Sequence, residues 1–426
     1  MLRKLLGNKT IKNAGWLIGG KVAQMLINLV VGLLTARYLG PANFGTINYA
    51  AAYVAFFSAF CTLGINSVLV KEFVQRPGEE GTILGTSIFL RAISSLLSAL
   101  VIICVVAFLD ADEPTTVAVV ALSTIGMVFH VLEVFNFWFQ SRLESKVTAI
   151  ASLIAYALSA AYKVVLLVTG AGVIFFAVAT SVEYMAVGGM LLLAYRKHRG
   201  GKLRVSLSYG KTLLKLSCYF ILPSLMVAVY SQTDKIMLKQ MISDTEIGYY
   251  STAVSLSTVW CFVLQAIIDS VYPSIMQAYG KDDAAFQKRN KQLYAIVFYL
   301  SLTVSALFTL LAEPIITIMY GKAYLGAVAP LRIITWYTAF SYLGVARNPW
   351  IVCQNKQKYM LHVYTTSALA NVVLNLIFIP MWGASGAAVA SLIAQMLTTM
   401  VVPFFIKPLR ENSKMMVQAI CFRGLK

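Results

Sequence analysis

Apolar runs long enough to cross a lipid bilayer recur along the whole of this 426-residue chain, and no other feature constrains its fold as much. A hydrocarbon core about 30 Å thick is crossed by roughly 20 consecutive apolar residues in a helix. Hydrophobic residues make up 59% of the chain and charged residues only 12%, more apolar than a soluble core and its surface require. The chain therefore reads as an integral membrane protein. Its runs do not alternate every second residue, so helices are expected rather than barrel strands.

Breaks marked by charge, glycine or proline place spans near 11–37, 44–69, 82–109, 116–140, 147–169 and 172–195, with a second set near 212–238, 246–274, 292–319, 329–352, 357–380 and 385–407. The expected fold is an all-α membrane protein with about twelve transmembrane helices in two six-helix lobes around a central cleft. Residues 1–195 form the N-terminal lobe, 196–211 a basic cytoplasmic linker, 212–407 the C-terminal lobe and 408–426 a cytoplasmic tail. The halves are weakly self-similar. Phe44-Gly45-Thr46-Ile47-Asn48-Tyr49-Ala50 matches Ile247-Gly248-Tyr249-Tyr250-Ser251-Thr252-Ala253 when Gly45 is set on Gly248. An even number of helices per half makes the repeats parallel, and a cleft between them follows.

Lysine and arginine set the orientation, because short basic loops stay on the cytoplasmic side. Counted from an inside N-terminus, the cytoplasmic loops hold most of them, including Arg196, Lys197, Arg199, Lys202, Arg204 and Lys211 in the linker. The other face has only Arg37, Lys235, Lys239, Lys322 and Arg332. Both termini are expected in the cytoplasm. The same asymmetry explains the net charge of +18 without a nucleic-acid partner. The basic linker either sets topology alone or also touches anionic membrane lipids.

Three cations, Lys21, Arg91 and Lys163, fall inside the spans. A charge at mid-bilayer costs roughly 2.5–3.5 kcal/mol on insertion scales, so each must face a cavity or a partner. They lie on polar stripes at helical spacing: Lys21, Gln24 and Asn28; Ser87, Arg91, Ser94 and Ser98; Ser152, Tyr156, Ser159 and Lys163; and, in the second half, Tyr364, Ser367, Asn371 and Asn375. Such stripes either line a pathway or join helices by hydrogen bonds. Lys21, Gln24, Asn28, Arg91, Lys163 and Asn371 are the candidate substrate contacts. Arg347 is expected to snorkel to the cytoplasmic surface. Acidic residues within spans are Glu133, one helical turn after His130, with Glu183 and Asp269. They either pair with the buried cations or exchange a proton or Na⁺. Asp234 and Glu313 approach outer ends and should be solvated.

No cofactor, metal site or catalytic constellation is expected, and the chain does not read as an enzyme. Gly15, Gly20 and Lys21 imitate part of a phosphate-binding loop, but Val22 replaces its hydroxyl residue and no strand precedes it.

Ala36-Arg37-Tyr38-Leu39-Gly40-Pro41-Ala42-Asn43-Phe44-Gly45 resembles the signature that follows the first helix of Wzx-type polysaccharide (O-antigen) flippases. Gln232 to Lys235 with Met237-Leu238, Ile247-Gly248-Tyr249-Tyr250 with Ala253, Pro273 to Gly280, and Gly383-Ala384-Ser385-Gly386-Ala387-Ala388 resemble further blocks of that family. The likeness runs through nearly the whole chain. It implies membership of the multidrug, oligosaccharidyl-lipid and polysaccharide exporter superfamily. The implied cargo is an undecaprenyl-diphosphate-linked oligosaccharide, an O-antigen or capsule repeat unit, flipped across the bacterial cytoplasmic membrane by alternating access. The diphosphate would meet Lys21 and Arg91, and polysaccharide polymerase and chain-length machinery would be partners. A cation-coupled multidrug exporter of the same superfamily is the alternative.

Overall fold

A computed structural model of the chain describes residues 9–198 and 200–424, and all regular structure among them is helical. The first helix, α1, runs from Lys9 to Thr62. At 1.5 Å per residue an unbroken helix of that length would reach ~80 Å, nearly three hydrocarbon cores. It breaks at Gly40 (φ 72°, ψ 170°). The residue before a proline is driven out of the α region, and glycine takes a positive φ without steric cost, so Gly40-Pro41 ends one span and opens the next.

The chain continues through α2 (Asn66–Gln75), α3 (Glu80–Leu109), α4 (Pro114–His130), a 3₁₀ turn (Val131–Glu133), α5 (Val134–Ser141), α6 (Ser145–Thr169), α7 (Val173–Ala177) and α8 (Ala179–Lys197). The second half holds α9 (Leu207–Met241), α10 (Asp244–Thr258), α11 (Cys261–Ala278), α12 (Asp283–Met319), α13 (Val328–Ala346), α14 (Asn348–Cys353) and α15 (Met360–Met396). A π turn (Leu397–Val401), the short α16 (Val402–Phe405) and α17 (Arg410–Ile420) complete it. Like α1, α15 is two helices joined at a glycine, Gly383 (φ 53°, ψ −129°). The second of them is capped from α10, where Glu246 Oε2 accepts the Ala384 N–H at 2.6 Å.

Nine helical stretches among the described residues are long and apolar enough to cross a membrane. Two of them, Gly19–Gln75 and Gln357–Phe405, have 57 and 49 residues, room for two crossings each, and α13 is a further helix of 19 residues. The arrangement is consistent with the expected twelve. Only 22% of the apolar stretch of α3 is buried, and Leu96, Leu97, Leu100 and Phe108 lie on its surface. Such a face suits lipid and would be a liability in water.

The chain forms two compact units. One comprises the residues up to Leu39 and Thr46–Ala228; the other comprises Gly40–Gly45 and Val229–Lys426. The division thus falls inside α9, later than the linker expected at 196–211. The described linker residues are fastened to the first unit. Arg204 N donates to Gly81 O (3.1 Å), Ser206 N to Thr86 Oγ1 (3.0 Å) and Tyr209 Oη to buried Glu72 (2.9 Å). The core of this unit gathers Leu69, Phe73, Phe135, Trp138, Phe139, Leu191 and Tyr195. The core of the second includes Leu293, Tyr294, Leu343, Trp350, Met415 and Met416. The expected tail is therefore, through α17, an amphipathic helix with one face in that core. Asn412 Nδ2 donates to the Tyr294 hydroxyl at 2.6 Å.

Gly45 and Gly248, aligned as repeats above, meet one another's segments in the second unit. A Cβ on Gly45 would fall 1.8 Å from the Asp244 carbonyl oxygen, and one on Gly248 would fall 2.1 Å from that of Pro41. Backbone, not a flexible side chain, fills the space. Gly45→Ala and Gly248→Ala should each destabilise the folded protein by about 1–3 kcal/mol, the usual cost of overpacking. Thermal unfolding in detergent would read this, with Gly189→Ala, where no atom lies within 4 Å, as the neutral control.

Candidate functional site

Each unit contains a polar cavity. That of the first unit, about 190 Å³, is lined by Gln24 of α1, Phe129 and His130 of α4, Glu133 of the 3₁₀ turn, Asn136 of α5, Ser152 and Tyr156 of α6, and Glu183, Tyr184, Val187 and Gly188 of α8. The 3₁₀ turn matters here: it interrupts the helix between His130 and Val134 and aims both His130 and Glu133 inward. Their side chains meet, His130 Nε2 to Glu133 Oε2 at 3.0 Å, and the Tyr184 ring stands edge-on to the imidazole at 4.7 Å.

Arg91 of α3 backs this wall. It is fully buried, and its guanidinium donates to Asn66 Oδ1 (3.1 Å) and the His130 carbonyl (3.2 Å) while standing 3.3 Å from His130 Nδ1 and 3.7 Å from Glu133 Oε2. The sequence suggested that Arg91 meets the diphosphate. The structure instead encloses it in protein contacts that answer both terminal nitrogens of the guanidinium and leave only its Nε without a partner. Lys163 is an electrostatic neighbour of Glu183 but stands outside the cavity wall. Of the α1 stripe, Gln24 lines the cavity, Asn28 is exposed with Tyr156 as a polar neighbour, and Lys21 is exposed.

The second cavity, about 240 Å³, lies among α9, α10, α13 and α15, and its lining includes Asp234, Lys235, Tyr250, Tyr337, Ser367, Asn371, Ser391, Gln395 and Thr398. At its centre is Asp234, which was expected to be solvated and is only 2% exposed. Helix α9 runs on to Met241, so Asp234 is not terminal, and α10 and α15 close over it. Its carboxylate accepts from Tyr250 Oη (2.5 Å), Asn375 Nδ2 (2.5 Å) and the Ser391 hydroxyl. Asn375 also donates to Asn371 Oδ1 at 3.1 Å, which brings Asn371 into the same network. The aspartate was nevertheless announced in the sequence by the Gln232-Thr233-Asp234-Lys235 block.

Asp269 lies elsewhere. It is exposed on α11, where Gln265 Nε2 donates to its Oδ1 at 2.9 Å, and it lines neither cavity. Arg347 does not snorkel: it is 1% exposed, donates to the Thr399 carbonyl in the π turn at 3.4 Å, and has Tyr230, Tyr294 and Tyr364 as electrostatic neighbours.

Comparison with known proteins places this architecture. A family model described as polysaccharide biosynthesis protein matches residues 10–279, and the MatE model matches 220–377. A capsular polysaccharide biosynthesis protein of Staphylococcus aureus is 20% identical over 93% of this chain and 99% of its own length. A probable low-salt glycan biosynthesis flippase of Haloferax volcanii is 23% identical over 44% of this chain and 40% of its own. Among solved structures, the lipid II flippase MurJ in an inward closed conformation superposes with a TM-score of 0.71 at 15% identity, covering 96% of this chain and 91% of that one. An inward-facing multidrug resistance MATE transporter gives 0.69 at 16%, covering 93% and 96%. The fold is theirs. With its family match extending over more than half its length, the chain belongs to the polysaccharide biosynthesis protein family, within the multidrug, oligosaccharidyl-lipid and polysaccharide exporter superfamily.

Proposed function

We propose that the protein flips an undecaprenyl-diphosphate-linked oligosaccharide across a bacterial cytoplasmic membrane by alternating access, as a transporter rather than an enzyme, with both termini in the cytoplasm. The observation that carries this reading is the polysaccharide-biosynthesis family match over residues 10–279, supported by two relatives whose names place them in capsule and glycan biosynthesis. The geometry adds polar cavities inside lipid-facing helices. Lys21, exposed on α1, is the proposed diphosphate contact, since an ammonium pairs with phosphate oxygens through charge-assisted hydrogen bonds. Gln24 and Asn371 are the proposed polar contacts in the two cavities.

Energy coupling is proposed at Asp234. Three neutral groups donate to it and no cationic nitrogen lies within salt-bridge distance among the described residues. A buried carboxylate held in this way is poised to take up a proton or Na⁺, a role the sequence pointed to at Asp269 instead. Glu133 and Glu183 are the corresponding acids of the first unit. The MatE match over 220–377 sustains one other reading, cation-coupled multidrug export, which drug susceptibility in a pump-deficient strain separates from glycan export.

Lys21→Ala should abolish export of the glycan in cells while leaving the protein in the membrane, seen as surface polysaccharide lost at an unchanged immunoblot signal. Unchanged export would remove Lys21 from the pathway. Asp234→Asn preserves the shape of its site and should lower gradient-driven flipping in proteoliposomes by roughly tenfold or more, which corresponds to ~1.4 kcal/mol. A variant that responds to the ion gradient as the parent does would move coupling elsewhere.

A further inference from the structure

The cavity of the first unit has a charge pattern that the flipping reading does not use. Arg91 Nη2 carries only N–H groups, so where it faces His130 Nδ1 at 3.3 Å that nitrogen must be the acceptor, without a proton of its own. The ring's single proton then sits on Nε2 and is donated to Glu133 Oε2 at 3.0 Å. A second proton would set two donors against each other. His130 is thereby a neutral positioning residue, and its one N–H is already used.

What remains for a ligand is a wall that mixes neutral amides and hydroxyls with two carboxylates and has no lysine or arginine in its lining. Glu133 and Glu183 carry its charge, and the buried Oδ1 of Asn136 has no hydrogen-bond partner. Among the described residues the cations that interact with them, Arg91 with Glu133 and Lys163 with Glu183, are not part of the lining. The other titratable groups facing Glu133 are His130 and Tyr184, and Tyr156 faces Glu183. Phe129 and Tyr184 add aromatic surface, and the volume holds about six waters, the scale of one sugar ring.

Resting on the flippase reading, we infer that this cavity receives a single neutral or amino-bearing sugar ring of the cargo and rejects an acidic one. Hydroxyl and ammonium groups can donate to Glu133, Glu183 and the unpartnered Asn136 Oδ1. A uronate would bring a third carboxylate into a space that already holds two, with no cation in the lining to offset it.

The chain has three histidines, so full-length protein carrying His198→Gln and His362→Gln, labelled with ¹⁵N-histidine, reports on His130 alone. The spectrum should show a bare Nδ1 and a protonated Nε2, as the contacts of the two ring nitrogens require. A methyl hexoside or glucosamine at tens of millimolar should shift the Nε2 resonance in a saturable way, glucuronate should not, and Glu183→Gln should weaken the amine's effect most. The opposite tautomer, an equal shift from glucuronate, no response to any sugar, or a response to tetraphenylphosphonium alone would each overturn the inference. Because these probes are free sugars and nothing is transported, a failure here leaves the flipping reading to its own assays.

Discussion

The cost of holding a charge away from water organises this protein. Bringing a carboxylate or guanidinium into an apolar interior costs several kcal/mol per ion unless fixed partners replace the lost hydration. Buried charges of both units carry such partners. Arg91 is gripped by an amide, a carbonyl, an imidazole and a carboxylate, and Asp234 by a phenol, an amide and a hydroxyl. Those partners come from different helices, so each ion joins α-helices that lipid alone would give little reason to associate. The cavities open beside these networks, where groups arranged to serve an ion leave polar surface over.

The breaks in the longest helices follow from a second constraint, the spacing of glycine and proline. Gly40-Pro41 divides α1 and, in the same segment, lets Pro41 and Gly45 approach α10 closely enough that only glycine fits at Gly248. Gly383 divides α15, and the freed backbone N–H of Ala384 is taken up by Glu246, also on α10. A single helix thus receives both restarts, which explains why α10 begins with two acidic residues, Asp244 and Glu246. Near a helix N-terminus such charges are favourable in their own right, and here one of them also caps a neighbour.

Much of the fold was legible before any coordinates, because hydropathy and the glycine-proline breaks are local signals. The break at Gly40, the repeat glycines and the last helix pair around Gly383 could all be placed from neighbouring residues. Burial of a particular side chain is not local, and the site was read less well for that reason. Asp234 looked terminal because its span was expected to end near 238, yet α9 continues past it and residues of α15, some 140–160 positions away, supply two of its partners. Arg91 shows the converse. It sat on a polar stripe at helical spacing, and periodicity identifies a face without saying whether that face meets a cavity, another helix or the surroundings. Only the family block around Asp234 carried a usable hint.

The two cavities solve different chemical problems with the same materials. In the second unit Asp234 accepts from neutral hydroxyl and amide donors, with Lys235 beside it in the same lining as its charged neighbour. In the first, Glu133 and Glu183 have Arg91 and Lys163 as charged neighbours outside the lining, so the lining itself stays acidic. Asp234 has fixed donors on its carboxylate, whereas Glu133, Glu183 and the unpartnered Asn136 Oδ1 leave acceptor capacity on the wall of the first cavity, and a site that is to recognise hydroxyls needs acceptors left over.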